Sequence, residues 1–127
     1  APPGRAPPPS TARPPWADVC ALDELAPGTA AAALVDGEQV AIVRPRLGER
    51  VYAISNFDPF SKAFVIARGI VGDCAGEPKI ASPIYKQSFD LATGACLDDP
   101  SVRLEVYAVR VVDGRVEVAA AAARRDA

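Results

Sequence analysis

The chain has 127 residues and a formal net charge of −2, with 14 lysines and arginines against 16 aspartates and glutamates. That length suffices for one domain with its own hydrophobic core, and the charge offers no basic surface for nucleic acid. The chain contains no histidine, which excludes Ser-His-Asp hydrolysis and two-histidine metal sites unless a partner chain supplies the imidazole.

Hydrophobic residues make up 50% of the chain, but no run approaches the ~18 consecutive apolar residues of a membrane-spanning helix. The first residues are proline-rich rather than charged and then apolar, so no secretory signal peptide is expected. Cys20, Cys74 and Cys96 are widely spaced and include no C-x-x-C pair. These features predict a cytoplasmic protein with reduced thiols and no membrane partner.

Residues 1–15 hold seven of the thirteen prolines. Proline cannot donate to a sheet and favours extended polyproline II, so this segment is predicted to be a disordered leader. A ligand for an SH3-like groove is the alternative interpretation. The folded domain is predicted to cover residues 16–119, and residues 120–127 are predicted to form a flexible tail.

The first part of the predicted domain is typical of an antiparallel meander. A strand that runs into a turn is expected over residues 18–25, with Pro27-Gly28 closing the turn. Two apolar runs follow at 29–35 and 38–44. Asp36-Gly37 joins these runs, and such a dipeptide favours a type I′ turn and therefore a hairpin. A further strand is predicted at residues 50–54.

Residues 55–90 are predicted to form a small inserted subdomain that carries two loops. Periodicity does not decide between a strand and a helical turn at residues 64–68. A glycine-rich, hairpin-like segment is expected at 69–78, and a strand at 79–81 leads into the second loop at 82–87.

The closing segment returns to the meander. Residues 88–91 are a predicted strand, and residues 104–112 alternate with a period of two and are predicted to form the longest strand. Asp113-Gly114 predicts a second hairpin, with its return strand at 115–119. No internal repeat is evident. About nine or ten short strands with closely spaced turn signals predict an all-β antiparallel sandwich or barrel.

The two loops resemble the metal-binding loops of a Rieske ferredoxin, in which two cysteines and two histidines hold a [2Fe–2S] centre. The four corresponding positions read Asp58, Phe60, Ser82 and Tyr85. Phe60 has no donor atom, and hydroxyl oxygens are poor partners for such a cluster. The resemblance therefore predicts a Rieske-like fold without its cluster, and no metal or cofactor in this chain.

Three segments together resemble the small subunit of assimilatory NAD(P)H-dependent nitrite reductase. They are SNFDPFSKAFVIARGIVGD at 55–73, SPIYKQSFDLATGACLDDP at 82–100 and VYAVRVVDGRVEV at 106–118. Tyr85 departs from the pattern, because a leucine or histidine is more typical there. The resemblance implies a non-catalytic subunit of a cytoplasmic enzyme. Its large subunit would carry FAD, siroheme and a [4Fe–4S] cluster and reduce nitrite to ammonia.

The loop tips are the predicted surface for that large subunit, because exposed apolar patches often mark protein interfaces. An equally weighted alternative turns Phe60 inward, into the space that a cluster would fill. Lys86 and Gln87 lie on the same loop and either rim such an interface or, as the favoured alternative, form a plain solvated pair. The predicted surface comprises Pro59, Phe60, Pro83, Ile84, Tyr85, Lys86 and Gln87.

Two rival functions remain. The first is a Rieske-type ferredoxin that carries electrons to an oxygenase, against which the absence of histidine argues. The second is a stand-alone enzyme or mononuclear metal site that uses Asp58, Tyr85 or Cys74. One carboxylate and a phenol make a poor metal site, and a cysteine nucleophile would lack its histidine base.

Overall fold

The computed structural model describes residues 16–46, 50–74 and 76–119, and the predicted leader (1–15) and tail (120–127) lie outside these ranges. Within the described ranges no helix is long and apolar enough to cross a membrane. Two short 3-10 turns, Leu22–Glu24 and Ile66–Arg68, accompany the strands. The strands are β1 (Trp16–Ala21), β2 (Thr29–Val35), β3 (Glu38–Arg44), β4 (Tyr52–Ser55), β5 (Phe57–Asp58), β6 (Ala63–Phe64), β7 (Ile70–Cys74), β8 (Glu77–Ala81), β9 (Ser88–Asp90), β10 (Val106–Tyr107), β11 (Val109–Val112) and β12 (Arg115–Ala119).

These strands form four antiparallel sheets. The first sheet has the order β1-β12-β11 and the second has the order β10-β4-β3-β2. Between β4 and β10 in the chain lie the two-stranded β5-β6 and the three-stranded β7-β8-β9. The predicted all-β fold with smaller sheets inserted in a sandwich is confirmed.

The second sheet is the middle layer of the molecule. In β3, Val40 and Ile42 belong to the core shared with the first sheet. Their neighbours Ala41 and Val43 belong to a second core that includes Phe89 of the three-stranded sheet. Because β3 is covered on both faces, its sequence is a continuous apolar run without polar alternation.

Both predicted Asp-Gly hairpins are confirmed. The backbone φ angles are 50° at Asp36 and 83° at Gly37, and 51° at Asp113 and 76° at Gly114. A type I′ turn requires positive φ at both central residues, and Asp-Gly adopts that conformation at low cost.

The strand predicted over residues 104–112 is wrong as a single element. β10 pairs with β4 in the second sheet, whereas β11 pairs with β12 in the first, so the chain changes sheet at Ala108. Side-chain alternation does not report which neighbour a strand has, so the change left no mark in the sequence. The longest strands are instead β2 and β3, with seven residues each.

Two further boundaries differ from the predictions. β1 begins at Trp16, two residues before the predicted start, and the 3-10 turn Leu22–Glu24 then confirms that this strand runs into a turn. Residues 64–68 combine both alternatives, since β6 ends at Phe64 and a 3-10 turn follows at Ile66–Arg68. The described residues thus contain twelve strands, more than the nine or ten predicted.

Candidate functional site

The two loops follow the same backbone path. Loop 1 comprises residues 58–62 and loop 2 comprises residues 82–86. The first side chain of each loop accepts a hydrogen bond from the N–H two residues later, at 3.0 Å for Phe60 N to Asp58 Oδ1 and 3.2 Å for Ile84 N to Ser82 Oγ. Each loop closes when a lysine N–H donates to the carbonyl four residues earlier, at 2.7 Å in loop 1 and 3.1 Å in loop 2.

This shared geometry reveals a five-residue repeat, DPFSK in loop 1 and SPIYK in loop 2. Only the proline and the lysine are identical, which is why the sequence alone did not reveal it. The closing lysines, Lys62 and Lys86, both adopt positive φ, at 61° and 68°.

A direct hydrogen bond joins the two loops. The Ser82 hydroxyl donates to Asp58 Oδ2 at 2.6 Å, and the Ser61 hydroxyl donates to the same oxygen at 2.9 Å. Asp58 and Ser82 are both fully buried. With the Phe60 N–H on Oδ1, the carboxylate receives three donors, which offset much of the cost of burying it.

These contacts set the protonation of Asp58. Burial alone would raise the pKa of the carboxyl group, but hydrogen bonds from Ser82, Ser61 and the Phe60 N–H stabilise its ionised form. The pKa of Asp58 is therefore lowered from its ordinary value of 3.8. The side chain acts as a buried, ionised acceptor and is poorly suited to take up a proton near neutral pH.

The third residues of the two loops point in different directions. Phe60 packs against the second core, with its ring centroid 6.3 Å from that of Phe89. It therefore takes the inward alternative. Ile84 is 45% exposed, and Tyr85 beside it is 59% exposed. Of the four ligand positions, the structure brings Asp58 and Ser82 together. Phe60 packs in the core, whereas Tyr85 faces solvent.

The other predicted surface residues divide between tip and interior. Pro59 and Pro83 are half-buried and Lys86 is exposed. Gln87 is half-buried, and its Oε1 is buried without a hydrogen-bond partner among the described residues. Its backbone carbonyl accepts from Ser82 N at 2.8 Å, so Gln87 belongs to the base of loop 2 rather than to its rim.

Sequence reasoning missed Asn56, which precedes loop 1 and is buried. Its Oδ1 accepts from Ala67 N at 2.7 Å, and its backbone carbonyl accepts from Ile66 N at 3.1 Å. The Asn56 amide Nδ2 also donates to Gln39 Oε1 at 3.2 Å. Asn56 thus fixes the 3-10 turn against β3, and its position just after a strand was the only available signal.

Two adjacent acids, Asp98 and Asp99, brace local turns. Asp99 Oδ1 accepts from the N–H and the hydroxyl of Ser101, and Asp98 Oδ2 accepts from Ser88 N. These contacts are turn and loop braces of the kind that short acidic side chains favour. The side chain of Cys74 lies outside the described part of the structure. Burial raises the pKa of the Cys20 thiol, which disfavours a nucleophilic thiolate.

The residues at the four loop positions do not fit a Rieske centre. Such a centre needs two thiolates and two imidazoles, whereas the loops offer a carboxylate already bound by three donors, a phenyl ring, a hydroxyl and a phenol. No group of three or more acidic, cysteine or histidine residues in the described ranges could hold a metal ion.

Comparison with known proteins identifies the family. Residues 15–119 match the model of the Rieske-like [2Fe-2S] domain. The chain is 45% identical over 103 residues to the nitrite reductase (NADH) small subunit of Salmonella typhimurium, covering 81% of this chain and 95% of the relative. The chain belongs to the family of nitrite reductase small subunits. It is also 36% identical over 104 residues to part of the nitrite reductase [NAD(P)H] large subunit of Klebsiella oxytoca, covering 82% of this chain and 11% of that protein.

Solved structures agree with this assignment. A Mycobacterium tuberculosis protein described as an NADH-dependent nitrite reductase small subunit superposes with a TM-score of 0.81 at 48% identity, covering 84% of this chain and 96% of that one. The ferredoxin of carbazole 1,9a-dioxygenase from Nocardioides aromaticivorans superposes with a TM-score of 0.72 at 35% identity, covering 82% and 96%. The nitrite reductase small subunit and the dioxygenase ferredoxin therefore both resemble this chain in fold.

Proposed function

We propose that this chain is the non-catalytic small subunit of a cytoplasmic NAD(P)H nitrite reductase and that it binds a separate large subunit. The observation that carries the proposal is the similarity to part of the Klebsiella oxytoca large subunit, where the matching stretch is 11% of a much longer chain. A domain that occurs covalently joined to a catalytic chain in one protein is well suited to bind such a chain when it is separate.

In this proposal the large subunit supplies the redox chemistry. FAD, siroheme and a [4Fe–4S] cluster would reside there, and the six-electron reduction of nitrite to ammonia would take place there. The small subunit would carry no [2Fe–2S] centre, because Phe60 has no donor atom and the chain has no histidine. Its contribution would be to support and position the large subunit.

The tips of the two loops are the proposed docking surface. Ile84 and Tyr85 are exposed apolar or aromatic side chains, and such residues are enriched where protein partners meet. The Asp58–Ser82 hydrogen bond holds the two loops together from beneath. A preformed surface of this kind loses little conformational entropy on binding.

Reconstitution with the purified large subunit tests the proposal. We expect the wild-type chain to form a complex with it and to increase NAD(P)H-dependent nitrite reduction, while the chain alone reduces no nitrite. Tyr85→Glu and Ile84→Glu should weaken the complex at least ~10-fold, because each would bury a charge. Leu34→Glu is the matched control, since Leu34 is 71% exposed on β2. Equal binding by all three variants would remove the loop tips from the interface.

The electron-carrier alternative predicts that the purified protein contains an iron–sulfur cluster. The carbazole dioxygenase ferredoxin shares the fold at 35% identity, and a ferredoxin must bind its cluster tightly. If the chain is the small subunit that we propose, anaerobically purified protein should show no visible iron–sulfur absorption and no stoichiometric iron or acid-labile sulfide. Stoichiometric iron and sulfide would favour the ferredoxin instead.

A further inference from the structure

The two lysines that close the loops have an unusual backbone conformation. Four residues other than glycine in the described ranges have positive φ: Asp36, Asp113, Lys62 and Lys86. The two aspartates lie in Asp-Gly hairpins, which require that conformation. No such turn explains the positive φ of the two lysines. A lysine Cβ disfavours this conformation, and glycine or asparagine is the usual residue there. A lysine at both equivalent positions suggests that the side chain, rather than the turn, is what the site requires.

Both lysine side chains are exposed, and neither forms an ion pair with a carboxylate in the described ranges. The acidic residue of the loops, Asp58, is buried and engaged with its own donors. The accessible formal charge of the two loops is therefore positive, although the whole chain has a net charge of −2.

The geometry fixes the backbones of these two lysines relative to each other. Lys62 N–H donates to the Asp58 carbonyl and Lys86 N–H donates to the Ser82 carbonyl. The Asp58 and Ser82 side chains are hydrogen-bonded to each other at 2.6 Å. Each lysine therefore begins one turn away from the same buried hydrogen bond, with exposed Ile84 and Tyr85 preceding Lys86.

We infer that Lys62 and Lys86 form a matched pair of cations that recognises carboxylates on the large subunit around an apolar contact made by Ile84 and Tyr85. This inference rests on the proposed function and adds the chemistry of the partner surface, namely acidic side chains surrounding an apolar depression. Charged groups at the rim of an interface mainly set orientation and association rate, and salt screens their effect. The pair would align the small subunit before the apolar contact closes.

Binding measurements with the purified large subunit of the same organism test the inference. The double variant Lys62→Glu/Lys86→Glu should weaken binding at least ~10-fold at low salt, about 0.05 M, and the difference should narrow at about 0.5 M. The variant Lys62→Arg/Lys86→Arg keeps both charges and should bind within about 2-fold of wild type. Arg46→Glu/Arg103→Glu makes the same change of charge at two exposed positions outside the loops and should also stay within about 2-fold.

The outcomes separate the inference from the proposed function. If the wild-type chain does not bind the large subunit, both fail. If the wild-type chain binds and the Lys→Glu and Arg→Glu double variants behave alike at every salt concentration, the lysine pair is overturned while the proposed function stands. Far-ultraviolet circular dichroism and unfolding midpoints equal to those of wild type would show that the variants are folded.

Amine acetylation of the complex provides a second readout that needs no substitution. The sequence has three lysines. The third, Lys79 on β8, donates to Ser88 Oγ at 3.2 Å and is the internal comparator. Lys62 and Lys86 should each lose most of their reactivity in the complex relative to the free chain, with Lys79 changing less. Undiminished acetylation of Lys62 and Lys86 in the complex would overturn the inference.

Discussion

Loops 1 and 2 follow the same backbone path, but their third side chains lie in different environments. Phe60, the third residue of loop 1, packs beside Phe89, whereas Ile84, the third residue of loop 2, is 45% exposed. One loop thus contributes to the core and the other to the surface. The comparison teaches that the scaffold fixes where the loops run, while individual side chains decide whether a loop stabilises the fold or faces a partner.

The largest expected effect tests the bond on which both loops depend. Asp58→Ala would leave the hydroxyls of Ser61 and Ser82 and the Phe60 N–H without their acceptor. We expect the free energy of unfolding to fall by about 3 kcal/mol, measured by urea denaturation. Asp99→Ala, which removes the brace of an exposed turn, should cost less than about 1 kcal/mol. Equal losses in the two variants would contradict the special role of Asp58.

A direct contrast between the loops comes next. Phe60→Ala should lower the free energy of unfolding by about 2 kcal/mol, because a half-buried ring loses its contacts with the second core. Tyr85→Ala, at a side chain that is 59% exposed, should change it by no more than about 0.5 kcal/mol. Thermal or urea unfolding of both variants measures the difference. A larger loss from Tyr85→Ala would reverse the assignment of the two loops.

The charge on Asp58 gives a smaller effect that depends on pH. The pKa of Asp58 is lowered in the folded state from its ordinary value of 3.8. The ionised carboxylate therefore contributes stability that is present above about pH 4 and is lost as the pH falls through the folded-state pKa. Asp58→Asn should be less stable than wild type by about 1 kcal/mol near neutral pH.

That stability difference should shrink as unfolding is measured at progressively lower pH, toward about pH 3. The other carboxylates titrate in both proteins and cancel in the difference. A gap that stays constant with pH would mean that shape, rather than charge, makes Asp58 valuable.

The smallest effects concern the closing lysines. Glycine adopts positive φ without a Cβ clash, so Lys62→Gly and Lys86→Gly should each raise the free energy of unfolding by about 0.5 kcal/mol. Lys62→Ala and Lys86→Ala keep the clash and should give no gain. Differential scanning calorimetry can compare the four variants. If glycine stabilises one loop only, the two turns are less equivalent than their hydrogen bonds indicate.

Features with local causes could be predicted from the sequence. Asp36-Gly37 and Asp113-Gly114 predict their hairpins, because aspartate and glycine readily adopt the positive φ angles that the turn requires. The positions of the two loops followed from their motifs. That the chain itself offers no histidine ligand follows from composition alone.

Features with long-range causes could not be predicted. The crossing at Ala108 depends on which sheet lies nearby, and nothing in the alternation of residues 104–112 records it. The inward turn of Phe60 depends on the space beside Phe89. Lysine disfavours positive φ, so the conformation of Lys62 could not be predicted from its residue type. The shared geometry of the two loops was therefore hidden in the sequence.

The order of the first sheet, β1-β12-β11, bears on how the protein is made. On the ribosome, β1 (Trp16–Ala21) emerges well before β12 (Arg115–Ala119), which is its hydrogen-bonded neighbour among the described strands. The nascent chain therefore carries an unpaired strand through almost the whole translation of the domain, and such edges attract wrong partners. A stalled or truncated product that lacks β12 would leave that strand open and would be a natural substrate for chaperones and proteases.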